Sequence, residues 1–356
     1  MSFIGNGVGR PTIQPGQIAP QAVSYSNLDS TITSTGLGGS KNKIINGNFD
    51  VWQRGGTQSA ATGQVYLADR FCSYSVGSTV AQSQQTFTVG QTSVPGEPGN
   101  FLRATTASVA GASNQAFIAQ SIEGVRTFAG QQVTLSFYAK SDAARNMAIE
   151  FAQTFGTTGS PSAAVTGIGV TTLALTTSWQ KFTVTANIPS IANKTITTND
   201  NLQVTFWMDA GSNFNSRTNS LGQQSGTFDF AQVQLEAGPT ATSFEKRPYA
   251  MELMLCQRYY EVGEVQANFI SGAFASYPTA WMFPVYWKVS KRTGPTVTFS
   301  NVYYYNAGSP SGPMSSSNYT VVANGSSLNG VALYITGGTT NFLGLSAATY
   351  TANSEL

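Results

Sequence analysis

The stretch TFDFAQVQL, residues 227–235, alternates apolar and polar side chains with a period of two. Successive side chains of a β-strand point to opposite faces, so this pattern predicts a strand with one face in a core. Three upstream runs alternate in the same way, at residues 133–139, 179–185 and 202–208. Such runs, separated by Gly, Pro, Asn and Ser loops, are typical of antiparallel sandwiches. We therefore predict an all-β chain in which residues 43–247 form a jelly-roll β-sandwich.

The period changes after residue 247. Pro248 suits a first helical turn, and Tyr249, Leu253, Cys256 and Tyr260 follow at helical spacing. This predicts one short helix over about 248–261, within a linker of residues 248–262. Alternation then returns at 281–289, 296–305, 319–322, 331–336 and 347–351, which predicts a smaller C-terminal β-domain over 263–356. Residues 1–42 show no sustained period and are interpreted as an extended arm, with a disordered tail as the alternative.

Composition excludes several classes of protein. Charged residues make up 10% of the 356 residues, and the formal net charge is +2, so the chain lacks the concentrated Lys and Arg of a nucleic-acid-binding surface. It contains no histidine, which rules out a Ser-His-Asp triad, a Cys-His pair and a His-ligated metal site within the chain. We predict no cofactor and no metal. Cys72 and Cys256 are interpreted as small buried hydrophobes, with a disulfide between them as the alternative.

The sequence shows no targeting signal. The first ten residues lack the basic and apolar regions of a secretory signal, and no run approaches the ~18 apolar residues of a membrane span. We therefore expect synthesis in the cytoplasm and no membrane insertion. An extracellular role would require another exit, such as cell lysis.

Three groups of segments together resemble bacteriophage tail-fibre and minor tail proteins. They are IINGNFDVWQRG (44–55) with ADRF (68–71); AQVQLEAG (231–238) with FEKRPY (244–249) and LCQRYY (255–260); and FPV (283–285) with GPTVT (294–298) and SEL (354–356). Residues 4–6, 10–12 and 15–16 also look like the virion-attachment start of such fibres. The resemblance implies a sandwich similar to carbohydrate-binding modules, a fibre-like homotrimer and attachment to host surface glycans.

The chain departs from this family in having no internal repeat or heptad run. It would therefore be a short fibre that binds the host, or a structural connector that carries a separate receptor-binding protein. Either role would locate it in the virion tail.

Apolar residues spaced along the arm are candidates for docking onto a tail, baseplate or adaptor protein of the virion. These tail-attachment candidates are Phe3, Ile4, Ile13, Ile18, Tyr25 and Leu28. The predicted helix supplies the candidates for a trimer interface near a threefold axis, which are Leu253, Cys256 and Tyr260.

Aromatic residues are concentrated in the C-terminal region. The candidates for binding host polysaccharide are Trp281, Trp287, Tyr303, Tyr304, Tyr305 and Tyr319. Because neighbouring strand residues point to opposite faces, the three consecutive tyrosines cannot all lie in the core of a thin monomer. They are either buried in an inter-chain core or form an exposed surface that grips sugar rings through flat faces and hydrogen bonds. We expect the loop 306–314 to contribute to such a surface.

Carboxylates are too sparse to favour an enzyme. Glycosidases use a pair of carboxylates, yet no Asp or Glu occurs between Glu264 and Glu355. We predict no catalytic residues, and a glycan depolymerase is the least favoured function.

Asp229 could join oxygens of residues 46–50 in a structural Ca²⁺ site, although this is not the favoured interpretation. Asp69 and Arg70 are expected to form an ion pair over one end of the sheet.

Overall fold

The computed structural model describes residues 40–266, 280–306, 309–313, 320–336 and 342–356. By its internal contacts the chain divides into Met1–Lys41 and Asn42–Leu356, and the elements given below belong to the second unit. The candidate tail-attachment residues, from Phe3 to Leu28, lie outside the described residues. No helix in the described ranges is long and apolar enough to cross a bilayer.

Ten antiparallel strands form the sandwich. They are β1 (Thr57–Tyr66), β2 (Cys72–Thr86), β3 (Asn100–Ala107), β4 (Gln115–Glu123), β5 (Gln132–Ser141), β6 (Arg145–Thr154), β7 (Val165–Leu175), β8 (Gln180–Asn187), β9 (Asn201–Ala210) and β10 (Gly226–Ala237). The strand order is β7-β6-β9-β4-β2-β3-β10-β5-β8, with β1 paired to β2. The end strands β7 and β8 contact each other, so the sheet curls into a nearly closed sandwich. The predicted all-β jelly-roll sandwich is confirmed.

The composition of the sandwich core follows from the alternation of apolar and polar side chains along the strands. On β5, Val133, Leu135, Phe137 and Ala139 belong to one buried apolar cluster. Tyr138 instead packs in a separate cluster on the outer face. Because side chains alternate across the sheet, the strand that buries Phe137 necessarily presents Tyr138 on the outside.

The outer face of β9 is also covered, which the sequence analysis did not predict. A 3₁₀ turn (Ser212–Phe214) and helix α1 (Asn215–Thr218) follow this strand, and Trp207 is fully buried beside Phe214. The Trp207 indole donates to Glu150 Oε2 at 2.9 Å, and Arg217 forms two bonds to the same carboxylate at 2.8 and 2.9 Å. Burying the Glu150 carboxylate is tolerable because donors satisfy both of its oxygens.

The predicted helix is present but shorter than expected. Helix α2 spans Tyr249–Gln257, and Pro248, which the sequence analysis assigned to the first helical turn, is its N-cap residue. Tyr260 is not helical, because it opens strand β11 and pairs with Asn353.

The C-terminal region is β-structured, as predicted. Its strands are β11 (Tyr260–Gln266), β12 (Ala280–Tyr286), β13 (Thr296–Asn306), β14 (Ser309–Pro313), β15 (Thr320–Asn324), β16 (Gly330–Thr336) and β17 (Phe342–Asn353). They form two sheets, β11-β17-β13-β14 and β12-β16-β15. The expected loop 306–314 is in part a strand, because Gly312 and Pro313 pair with Tyr304 and Tyr303 of β13. Residues 307, 308 and 314 lie outside the described residues.

Four of the segments that carry the family resemblance, 44–55, 68–71, 255–260 and 354–356, meet in space. We call their contact the junction; its residues are Gln53, Arg54, Asp69, Arg70, Tyr259, Tyr260 and Glu355. Arg70 pairs with Glu355, and its guanidinium carbon lies 3.5 Å from the centroid of the Tyr259 ring. The predicted ion pair between Asp69 and Arg70 is therefore wrong. Arg70 is almost completely buried, and its charge is compensated by Glu355 from the C-terminal region.

Asp69 lies in the same junction and contacts Gln53 and Arg54. It accepts hydrogen bonds from the Gln53 backbone and side-chain amides at 2.7 and 2.8 Å, and Arg54 lies 3.9 Å away. Burial raises the pKa of the Asp69 carboxyl to about 6, against the lowering effect of these donors. Gln53 also donates to the Tyr260 backbone oxygen at 2.8 Å, so one side chain ties the sandwich to β11.

Gly47 explains why the IINGNF segment needs a glycine. A Cβ at this position would lie 2.0 Å from the Val233 backbone oxygen, well inside van der Waals contact. The close approach allows the Val233 amide to donate to the Gly47 oxygen at 2.8 Å. This contact holds β10 in the bulged path described below.

Both cysteines are buried and unpaired. This agrees with their interpretation as small hydrophobic residues, and no disulfide joins them in the structure. Burial also raises the pKa of both thiols, that of Cys72 to about 11.

Candidate functional site

Among the aromatic residues predicted to bind glycan, Trp287 is the one whose side chain the structure describes. Trp287 is buried, donates through its indole to the Ser327 oxygen at 3.0 Å, and lies 5.5 Å from the Tyr350 ring. The structure therefore assigns Trp287 to the packing of the C-terminal sheets, because a buried ring cannot stack on a sugar. At Trp281, Tyr303, Tyr304 and Tyr305 the structure describes the backbone strands β12 and β13, and Tyr319 lies outside the described residues.

The helix residues predicted to form a trimer interface are placed differently. Cys256 is completely buried inside its own chain, so it is a core residue and not a surface contact. Leu253 and Tyr260 are half-buried, and the Tyr260 ring lies 3.5 Å from the Arg54 guanidinium carbon. The exposed apolar side chains of α2 are Tyr249, Met251 and Met254.

A different aromatic group lies on the outer face of the sandwich, and we call it the aromatic cluster: Phe87, Phe101, Tyr138 and Trp179. The Phe87 ring lies 4.8 Å from Phe101 and 5.2 Å from Trp179, and Phe101 meets Trp179 edge-on at 86°. Phe101 is buried, while the other three remain partly exposed. Their remaining exposure makes them available to a ligand.

Beside this cluster, one carboxylate partly neutralises two cations. Arg103 forms two hydrogen bonds to Asp229 at 2.7 and 2.8 Å, and Lys140 lies 3.6 Å from the same carboxylate. Both carboxylate oxygens of Asp229 thus contact cations, an arrangement that does not favour the calcium site considered at this residue. Within the described ranges, no group of three Cys, Asp or Glu residues could hold a metal.

A β-bulge shapes the same face. Ala231 pairs with Tyr138 and Gln234 with Ser136, so Gln232 and Val233 together oppose one residue of β5. Gln232 has φ of 49°, a left-handed conformation that costs an amino acid with a side chain of order 1–3 kcal/mol. Its side chain donates to the Pro95 oxygen at 2.7 Å, which holds the loop between β2 and β3 over the sheet. Bulges of this kind re-aim side chains and are frequent beside functional sites.

The bulge opens into a cleft of about 440 Å³. Its floor is β5 at Ser136 and Tyr138, and the loop residues Pro95 and Gly96 form one wall. The remaining lining residues are Phe137, Lys181, Gln232, Ser243, Phe244 and Lys246. This volume falls within the about 300–1,000 Å³ of small-molecule sites.

The cleft combines the groups that bind a sugar. Tyr138 and Phe244 supply apolar ring faces, and Ser136, Gln232 and two lysines supply hydrogen-bonding groups. Burial raises the pKa of the Tyr138 phenol, so the hydroxyl remains a neutral donor and acceptor at physiological pH. None of the lining residues is an Asp or Glu. The arrangement is suited to binding and offers no pair of carboxylates for glycoside cleavage.

The sequence analysis missed this site, although part of its signal was present. The runs 133–139 and 179–185 were recognised as strands, and their alternation already placed Tyr138 and Lys181 on the face opposite the core. Tyr138 and Lys181, an aromatic residue and a lysine that both face outward, were the part of the sequence pattern that could have indicated a binding site. That these strands are neighbours, and that Phe244 and Lys246 fold over them, depends on strand order and on the bulge.

Comparisons with known proteins found no matching family model and no matching curated sequence. Among solved structures, a CBM4 structure is 19% identical, over 55% of this chain and 99% of its own, with a TM-score of 0.31. A family 11 carbohydrate-binding module of a cellulosomal cellulase of Clostridium thermocellum is 15% identical over 51% of this chain and 98% of its own, with a TM-score of 0.31.

The enzymatically active domain of tailspike protein 4 of bacteriophage CBA120 is 12% identical, over 56% of this chain and 22% of its own, with a TM-score of 0.33. At these low identities and TM-scores, the neighbours indicate nothing about the function of this chain.

Proposed function

We propose that the protein is a phage virion tail protein that binds host surface glycan through the cleft and the adjoining aromatic cluster. The cleft carries the proposal, because it combines partly exposed rings, amide and hydroxyl groups and two lysines in one concave site. Proteins grip sugars without metal or covalent chemistry through these same groups. The role in the virion rests on the sequence resemblance alone.

Binding without catalysis is part of this proposal. The cleft lining contains no carboxylate, and Glu150 and Asp229, two buried carboxylates of the sandwich, are each held by an arginine. A glycosidase needs one carboxyl group as an acid and a second as a base or nucleophile. A polysaccharide-degradation assay that released reducing ends would overturn this part of the proposal.

Binding of purified protein to host cells and to host polysaccharide tests the site. Tyr138→Ala and Trp179→Ala should each weaken binding by about 1 kcal/mol, or five- to tenfold in Kd, if the rings stack on a sugar. Tyr286→Ala is the matched comparison, because Tyr286 is a 77% exposed tyrosine on the C-terminal sheets. Loss of binding in Tyr286→Ala alone would move the glycan site to the C-terminal region.

Attachment to the virion is proposed to use the arm, residues 1–42, docked on a tail, baseplate or adaptor protein. Assembly would then occur in the host cytoplasm and release would follow lysis. A chain truncated by residues 1–30 should fold and bind glycan but fail to join particles. If the truncated protein still copurifies with virions, the arm is not the anchor.

A structural connector is the second candidate function. The observation in its favour is a set of exposed apolar side chains on α2: Met251 and Met254, one turn apart, are 48% and 51% exposed, and Tyr249 is 59% exposed on another side of the helix. Neighbouring exposed apolar side chains such as Met251 and Met254 are typical of a protein interface, and a homotrimer or a second tail protein would cover them. Virions lacking this chain discriminate the two roles: intact particles that fail to adsorb favour the glycan binder, whereas a missing distal appendage favours the connector.

A further inference from the structure

We propose that the cleft selects an acidic sugar, a pyranose unit whose carboxylate lies between Lys181 and Lys246. This inference rests on the proposed glycan-binding function and names the chemical class of its ligand. It differs from the sequence-based expectation, which assigned glycan binding to the tyrosine-rich C-terminal region.

Two lysines enter the cleft from separate parts of the chain. Lys181 lies on β8, and Lys246 lies in the segment that follows β10. Lys181 and Lys246 are both exposed. Neither lysine has an ion-pair partner among the residues that the structure describes. Two uncompensated ammonium groups at one concave site favour an anion.

The segment that carries Lys246 is held on both sides. The Glu245 amide donates to Gln234 Oε1 at 2.8 Å, and Arg247 is buried and bonded to Glu252 at 3.0 Å. Lys246 therefore projects from anchored backbone, which lowers the entropy lost when its ammonium binds a ligand.

Neighbouring cations on the same face are partly neutralised. Arg103 and Lys140 share the single carboxylate of Asp229, so one of their two positive charges remains. The lysines of the cleft have no carboxylate in the lining. The two ammonium charges of the cleft are therefore uncompensated by its lining, and the net charge beside it has the same sign.

The remaining lining fits the neutral part of the same ligand. Tyr138 and Phe244 provide apolar surface for a pyranose ring. Gln232 uses its amide nitrogen to hold Pro95, which orients its amide group at the cleft. A sugar unit with one carboxylate thus meets apolar surface, amide and ammonium within one site.

Titration with matched oligosaccharides tests the inference. The probes are a tetramer of galacturonic acid and the carboxyl-reduced tetramer, which has the same rings without charge. We expect the native chain to bind the acidic tetramer at least about fivefold more tightly, in keeping with one or two partly exposed charge-assisted contacts. The preference should shrink as salt rises, because partly exposed charges are screened.

Lys181→Gln and Lys246→Gln should each abolish most of this preference, because they should weaken binding of the acidic tetramer much more than binding of the neutral tetramer. Lys194→Gln is the matched control, since Lys194 is an exposed lysine of the sandwich outside the cleft. Dextran sulfate serves as a general polyanion. If it competes equally in the native chain and in both cleft variants, the attraction is not specific to the cleft and the inference is overturned.

The outcomes separate this inference from the proposed function. Equal binding of both tetramers, lost in Tyr138→Ala and kept in the lysine variants, would retain the glycan site and reject the acidic ligand. A further arm with a sugar phosphate separates the two anions: tighter binding of the phosphate than of the carboxylate would also reject the acidic sugar. If Tyr138→Ala and Trp179→Ala retain full binding of host polysaccharide, the proposed glycan site itself fails.

Discussion

Arg70 and Glu355 form a buried ion pair between the sandwich and the C-terminal region, although 285 positions separate them in the sequence. The side chains are 1% and 5% exposed. Arg70 and Glu355 belong to two of the segments that carry the family resemblance, so a structural contact accounts for these two segments without a ligand site. Arg258 adds a second link, with bonds to Glu123 at 2.7 and 2.9 Å.

Arg70→Met should strongly destabilise the protein. The substitution removes one of the two cations that compensate the largely buried Glu355 carboxylate and leaves Arg54 at 3.2 Å. We therefore expect a cost of about 2–3 kcal/mol, below the about 3–5 kcal/mol of a buried pair that is broken completely. Chemical denaturation measures the change in the free energy of unfolding. Arg103→Met is the control, because Arg103 is 36% exposed and Lys140 remains near its partner Asp229. A loss of less than about 1 kcal/mol for Arg70→Met would contradict a structural role for the junction.

Asp69 should make stability depend on pH. Burial raises its pKa to about 6, against an ordinary value of 3.8, so the folded state binds the proton more tightly than the unfolded state. The contribution of Asp69 to the free energy of unfolding therefore increases as pH falls through about 6 and levels off below about 4. Relative to Asp69→Asn, the native chain should gain about 2–3 kcal/mol between pH 7 and pH 4. A difference that stays constant with pH would show that Asp69 does not titrate in this range.

Gly47→Ala should disturb the bulge that opens the cleft. The added methyl would lie 2.0 Å from the Val233 oxygen, and relieving the overlap should cost about 1–3 kcal/mol of stability. Glycan binding should fall with it, because Val233 and Gln232 belong to the same bulge. Gly99→Ala provides the control, since a Cβ there meets no atom within 4 Å. Equal melting temperatures for the two variants would rule out this account of the motif.

Lys291→Met tests the packing of the C-terminal sheets. Lys291 and Glu261 form a fully buried ion pair at 2.5 Å, and Tyr350 donates to the same carboxylate at 2.6 Å. Without Lys291 the Glu261 carboxylate keeps only neutral hydrogen-bond donors. We therefore expect the free energy of unfolding to fall by about 3–5 kcal/mol. Lys288→Met should be nearly neutral, because Lys288 is exposed and contacts Glu261 through its backbone amide.

The exposed methionines of α2, Met251 and Met254, should control association. We expect light scattering to report a trimer for the native chain, and Met251→Glu with Met254→Glu to lower the mass, because burying two unpaired carboxylates at an interface is unfavourable. Val89→Glu is the control, since Val89 is 95% exposed on a sandwich loop. A native chain that is monomeric at all concentrations would contradict the proposed homotrimer.

Much of the fold could be predicted because the alternation of apolar and polar side chains, a property of neighbouring residues, indicates where strands form. The run 133–139 alternates, and β5 buries Leu135 and Phe137 while presenting Tyr138 outside. The helix was found from its spacing, but its length was overestimated. Tyr260 has the helical spacing, yet its backbone pairs with Asn353, a partner that no local pattern reveals.

The sequence by itself determined which residues form strands, which face of each strand is apolar, and which chemistries the absence of histidine excludes. Tertiary structure alone decided the rest. It paired Arg70 with Glu355 and not with Asp69, buried Trp287, and brought Lys181 and Lys246 to one cleft. The physical reason is that alternation depends on neighbouring residues, whereas strand order, the bulge at Gln232 and charge pairing depend on contacts between residues far apart in the chain.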